Sequence, residues 1–204
     1  MIMRSIDLKR ELGEKLKNAC KSYINEAKKL LNNKNVFSFV IYCSSGCNNM
    51  GVAICTRSGL ESKNKELFSA NLPDWYAEVN AAEWDHVNEF YHLFQGVDNY
   101  VGQLYETFYE GTLDDVNLDD LNSDELWDFI SGFFIDAIVN CFFELKNDNF
   151  FNEDFFEDDL LLGIQFGDPD SYSVHMIENS SLMLNSECWH DKVKKYCNLI
   201  RKNM

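Results

Sequence analysis

Val36-Phe-Ser-Phe-Val-Ile-Tyr42, then the polar Cys43-Ser-Ser-Gly-Cys-Asn-Asn49, then Met50-Gly-Val-Ala-Ile-Cys-Thr56, decides the fold class. The two outer runs are short and rich in β-branched and aromatic residues. The spacer is short and polar. That combination predicts two antiparallel strands, 36–42 and 50–56, joined by a tight connection. Everything around the pair reads as helix or as further strand, so the expected architecture is α+β.

Upstream, Leu12, Leu16, Ala19, Cys20, Tyr23, Ala27, Leu30 and Leu31 recur at helical spacing, with lysines on the opposite face. This predicts a helix over 5–32 with a solvated basic side. Downstream, Val87, Phe90, Tyr91, Phe94, Val97, Val101, Leu104, Tyr105 and Phe108 predict a second long helix over 86–109. Ser123, followed by Asp124 and Glu125, is read as the N-cap of a third, 123–146, because a helix N-terminus favours anions. That helix is apolar nearly all round. Only Asp128, Gly132, Asp136, Asn140 and Glu144 break it, every fourth residue, which marks a core helix and not a membrane span. Leu160–Phe166 reads as a buried strand, Gly167-Asp-Pro-Asp170 as a turn, and 172–177 as a strand pairing back. A closing helix covers 187–201. The whole is expected to be one domain, 1–204, with a mainly antiparallel sheet.

Charge is distributed in blocks. From Leu67 to Cys188 there are 27 acidic residues and one lysine, Lys146, whereas residues 1–66 carry 12 basic against 6 acidic, and residues 189–204 carry 5 against 1. The acidic block also holds most of the phenylalanines, so it is a folded segment with a strongly negative surface. Such a field repels nucleic acid and anionic membrane and attracts basic proteins. Seven cysteines without an apolar leader point to reduced thiols and a cytoplasmic location.

No motif announces a reaction. His86 and His92 lie six apart, about 120° off a shared helix face. Cys43 and Cys47 lack a second close pair, and no phosphate loop or Gly-x-Ser-x-Gly elbow is present. No catalytic, cofactor or metal residue is assigned. Glu83, between Trp75 and Trp84, is the carboxylate to watch, because apolar neighbours would raise its pKa.

The strand pair, together with Trp75 and Ala82-Glu83-Trp84, and with Asp168-Pro169-Asp170, Ser180/Ser181 and Leu184-Asn185, resembles the bacterial DUF4303 family. The resemblance implies an α+β domain and carries no chemistry. Small acidic bacterial proteins of this kind resemble immunity proteins of toxin systems. The expected function is therefore a binding protein that neutralises a basic, nuclease-like toxin domain. Its candidate surface is Asp114, Asp115, Asp119 and Asp120 together with Glu153, Asp154, Phe155, Phe156, Glu157, Asp158 and Asp159, with the two phenylalanines as exposed anchors inside a steering rim. Two alternatives stand beside it: a small-molecule or enzymatic site at Trp75, Glu83 and Trp84, and a general interaction module.

Overall fold

The computed structural model describes residues 4–31, 35–68, 72–110 and 113–204, with side chains of 64–68 excepted. The hairpin forms as its composition demands. Strand β1 (Val36–Cys43) pairs antiparallel with β2 (Met50–Thr56), in register from Ser38 opposite Cys55 to Cys43 opposite Met50. Both strands are buried along nearly their whole length, as expected of a sheet covered on both faces. A register shift between Val36 and Ser38 lets Phe37 and Phe39 meet different helices. Phe37 stacks on Trp189 at 5.8 Å between ring centroids, and Phe39 meets Phe142 edge-on at 6.1 Å.

The third long strand changes the sheet from mainly antiparallel to mixed. Strand β4 (Phe156–Phe166) lies parallel to β1, with Ile41 opposite Ile164, and a two-residue strand β3 (His86–Val87) closes the other side in the order β3-β2-β1-β4. Parallel pairing needs a long crossover. Here the chain supplies α2 (Arg57–Phe68), α3 (Trp75–Val79), α4 (Gln95–Tyr109) and α5 (Ser123–Asn147) between β2 and β4. Helix α1 (Ser5–Leu31) precedes β1; α6 (Ser171–Leu184) and α7 (Glu187–Asn203) follow β4. The expected end of the first helix, residue 32, lies outside the described residues.

Three expectations are corrected. The stretch 172–177 is the start of α6, not a strand. Asp170 caps it, accepting the Ser173 amide at 2.8 Å, and Val174, Ile177, Ser181 and Leu184 then bury one helical stripe. The helix expected over 86–109 begins only at Gln95. Asn88 adopts φ 55°, which turns the chain after β3, and Tyr91–Phe94 is a 3-10 turn that sets Phe90 and Phe94 edge-on against Tyr23. The cap of α5 is Asn122, not Ser123. Its side chain accepts the Asp124 and Glu125 amides while Glu125 accepts the Asn122 amide, a full capping box.

Strand β4 is an edge, and α6 covers it. Asn185 accepts the Leu162 amide at 2.8 Å and donates to the Leu162 carbonyl at 2.7 Å, while Ser180 Oγ accepts the Ile164 amide at 3.1 Å. Two side chains thus stand where a fifth strand would pair. Helix α5 is long and apolar enough to cross a membrane by length and composition, and 56% of its apolar window is buried inside this fold.

Candidate functional site

Much of the basic face of α1 is ion-paired within the chain. Lys9 pairs with Asp136 (2.6 Å), Lys17 with Glu144 and Asp148 (both 3.0 Å), Lys21 with Asp148 (2.9 Å), and Lys28 with Glu153. The first three partners lie 127 residues on, so α1 and α5 run side by side in the same direction, and the four-residue stripe of α5 meets the lysines in register. Arg57 grips Glu157 with two donors, Lys192 pairs with Glu78, and Arg201 with Glu178. The basic flanks of the sequence therefore fold back onto the acidic block and neutralise part of it.

This sorts the candidate surface. Of the segment 153–159, Glu153 and Glu157 are paired within the chain. Phe155 and Phe156 are 6% and 7% exposed and pack on one another at 5.1 Å, with Phe156 also against Phe151 and Phe39. They are core residues, not exposed anchors: the turn that ends at Phe155 and the start of β4 at Phe156 bury both rings. Asp154, Asp158 and Asp159 remain, around a shallow 500 Å³ depression that also holds Lys146. Burial pulls the Lys146 ammonium below its ordinary value, and its Nζ donates to the Leu184 carbonyl at 2.7 Å.

The other cluster keeps its charge. Asp114, Asp119 and Asp120 are exposed, and none of them has an ion-pair partner among the described residues. Asp115 instead accepts the Ser5 amide (2.9 Å) and hydroxyl (2.6 Å), capping α1 from outside, and these bonds hold its carboxyl below the usual range. Asp124, Glu125 and Asp128 follow in the first turns of α5, again without a cationic partner among the described residues.

Beside these acids the molecule opens. β1 and β4 are parallel, so both end at one side of the sheet, where open α/β sheets place their crevices. Two adjoining cavities, about 270 and 750 Å³, lie there and share Ser45 and Asp170. Trp127, Ile130, Phe134, Tyr172 and Met176 form the apolar wall of the smaller one. The Trp127 and Tyr172 rings are 6.1 Å apart, and the Tyr172 hydroxyl donates to Asp124 at 3.2 Å. Desolvation, then Asp124, Asp128 and Asp170, push that hydroxyl above its ordinary pKa. Gly46, at φ 64°, lets the hairpin loop close one wall. A Cβ there would come within 2.9 Å of the Tyr105 hydroxyl and 3.5 Å of Trp127.

The larger cavity sets several polar groups in a mainly apolar surface. Tyr42, Asn49, Asn88 and Tyr91 line it, with Asp168 at the rim. Asn49 donates to the Tyr91 hydroxyl at 3.1 Å, and Tyr91 in turn bonds Asp98. The Asn88 side-chain oxygen is buried with no hydrogen-bond partner.

The Trp75–Glu83–Trp84 region lies apart from these cavities. Trp84 is 5% exposed and its Nε1 donates to the Ala77 carbonyl at 2.8 Å. Glu83 is half-buried, 3.9 Å from Lys63 Nζ, and none of the three residues lines the cavities above. Sequence reasoning missed Trp127 and Tyr172, taking the first as core helix and the second as strand. The signal available was that both lie within four residues of acids that have no nearby lysine or arginine.

No protein-family model matches the chain, nor does any curated protein or solved structure.

Proposed function

We propose that this chain is a cytosolic acidic binding protein that neutralises a basic protein partner, a nuclease-like toxin domain, by covering its positive substrate-binding surface. The observation that carries the reading is the position of the uncompensated charge. Asp119, Asp120, Asp124 and Asp128 have no cationic partner among the described residues, whereas Asp136 and Glu144 further along α5, and Glu153 and Glu157 beyond it, are paired. Crowding like charges at one place raises the energy of the free protein, and a basic partner relieves it while the same field speeds encounter. The short motifs that resemble the DUF4303 family accompany this proposal without adding chemistry to it.

Co-purification of the tagged protein with the product of its adjacent gene, at low salt and at about 0.5 M salt, tests the proposal. A stoichiometric basic partner whose association rate falls with salt is the expected result. Absence of any partner at both salts overturns it.

A second reading rests on the 750 Å³ cavity. Its polar lining groups, Tyr42, Asn49, Asn88 and Tyr91, would hold a small molecule with hydrogen-bonding groups of its own. Under that reading the chain is a small-molecule-binding protein, and the site lies at Tyr42 and Asn88 and not at Glu83.

A further inference from the structure

We infer that the 270 Å³ cavity at Trp127 and Tyr172 is the receptor for an arginine side chain presented by the partner. The inference rests on the binding reading above and goes further, to the site and the chemical group. Three features select that group. The wall is aromatic and aliphatic, which suits the methylene stem of a long cationic side chain. Trp127 and Tyr172 are half-buried, so each ring is covered on part of its surface and offers the rest to the opening. A guanidinium stacks on such a ring and is attracted by its face.

The third feature is a carboxylate at the wall with capacity left. Asp170 uses Oδ1 to accept both the amide and the hydroxyl of Ser173, each at 2.8 Å. Oδ2 takes no donor from the described residues. Asp124 and Asp128 stand close enough to perturb Tyr172. A planar fork of donors with a diffuse charge matches this arrangement. The ammonium of lysine is a compact, strongly hydrated point and gains less from an aromatic wall. Among the described residues no lysine or arginine lines the cavity.

The test uses N-acetyl-arginine amide as probe, with the lysine and citrulline analogues beside it. Citrulline has the same shape without the charge. The readout is the Trp127 indole resonance, assigned with Trp127→Phe. Arginine is expected to shift that resonance saturably, the lysine analogue to bind at least about tenfold more weakly, and citrulline not to bind. Asp128→Asn is an exposed change that leaves the fold alone. Asp170→Asn keeps a competent helix cap. Each should weaken the arginine titration. An unshifted indole, or citrulline binding as well as arginine, overturns the assignment.

Trp127→Ala is then measured against the co-purified partner, where a loss of at least about tenfold in affinity is expected of an anchor. A partner that binds Trp127→Ala unchanged removes the anchor and leaves the binding reading intact. Arginine binding with no partner at either salt does the reverse.

Discussion

Asn185 is one residue past the end of α6, yet it serves β4. Its amide group satisfies the Leu162 amide and carbonyl at once, 2.8 and 2.7 Å away, and also donates to Ser181. Ser180 Oγ accepts the Ile164 amide and donates to the Ile177 carbonyl, and Gly163 between Leu162 and Ile164, at φ +155°, leaves 3.3 Å between a would-be Cβ and the Ser180 hydroxyl oxygen. Asn185→Ala strands two backbone groups at a covered edge, and unpaired buried groups cost about 1–3 kcal/mol each. A loss of about 2 kcal/mol is expected, read as a lower urea midpoint at unchanged slope. A change under about 0.5 kcal/mol would mean that water replaces the side chain. These residues were visible in the sequence as Ser180/Ser181 and Leu184-Asn185, but only as a family resemblance. Their role depends on which strand they reach, and a residue 23 positions away in the chain leaves no local pattern.

At the level of elements, the charge register between α1 and α5 is the clearest organising feature. Lys17 and Lys21 share Asp148, and their hydrogen bonds, Lys21's first, hold the Asp148 carboxyl below its ordinary value. A depressed folded-state pKa contributes stability that is complete above the unfolded value of about 3.9 and is lost as pH falls through the folded value. Asp148→Asn removes that linkage. The variant should therefore lose less stability than the parent between about pH 5 and pH 2, with the curves converging at the acid end. Identical pH slopes in the two proteins would show that the bridges contribute nothing in solution. Both helices were legible from their apolar spacing. Their pairing was not, because periodicity reports which face is polar and not what lies opposite it. The same limit explains α6. Tyr172, Val174 and Met176 alternate like a strand, and the deciding signal was the cap at Asp170, which outweighs a six-residue alternation.

For the molecule as a whole, burial first fixes the chemistry that is available. Six of seven cysteines are buried, and Cys188 on α7 is exposed. Burial raises the thiol pKa, as at Cys197, pushed up to about 12, and holds such groups in the unreactive protonated form. One thiol per chain should react with a disulfide reagent in the native protein and seven in denaturant. Two or more fast thiols would indicate that the α7 layer opens readily.

Charge is the second whole-molecule property, and it carries the last prediction. The net of −16 is not spread evenly, because each basic segment of the sequence has folded against part of the acidic one. Two of the patches left unpaired matter here: Asp119 and Asp120 with Asp124 and Asp128, the last two acting on Tyr172 at the aromatic cavity, and Asp154, Asp158 and Asp159 around Lys146. The field of the sequence alone pointed to both and favoured the second for its phenylalanines, which are in fact core. Steering depends on charge, and holding depends on buried apolar contact, so the patch that has both should dominate. Neutralising Asp119, Asp120 and Asp128 to Asn should slow association with the basic partner and flatten its salt dependence, while the dissociation rate changes little. The same treatment of Asp154, Asp158 and Asp159 should leave both rates close to the parent's, because opposite-charge steering beyond about 10 Å is screened at 0.1 M salt. The reverse ranking would move the interface to the start of β4 and leave the Trp127–Tyr172 cavity outside it.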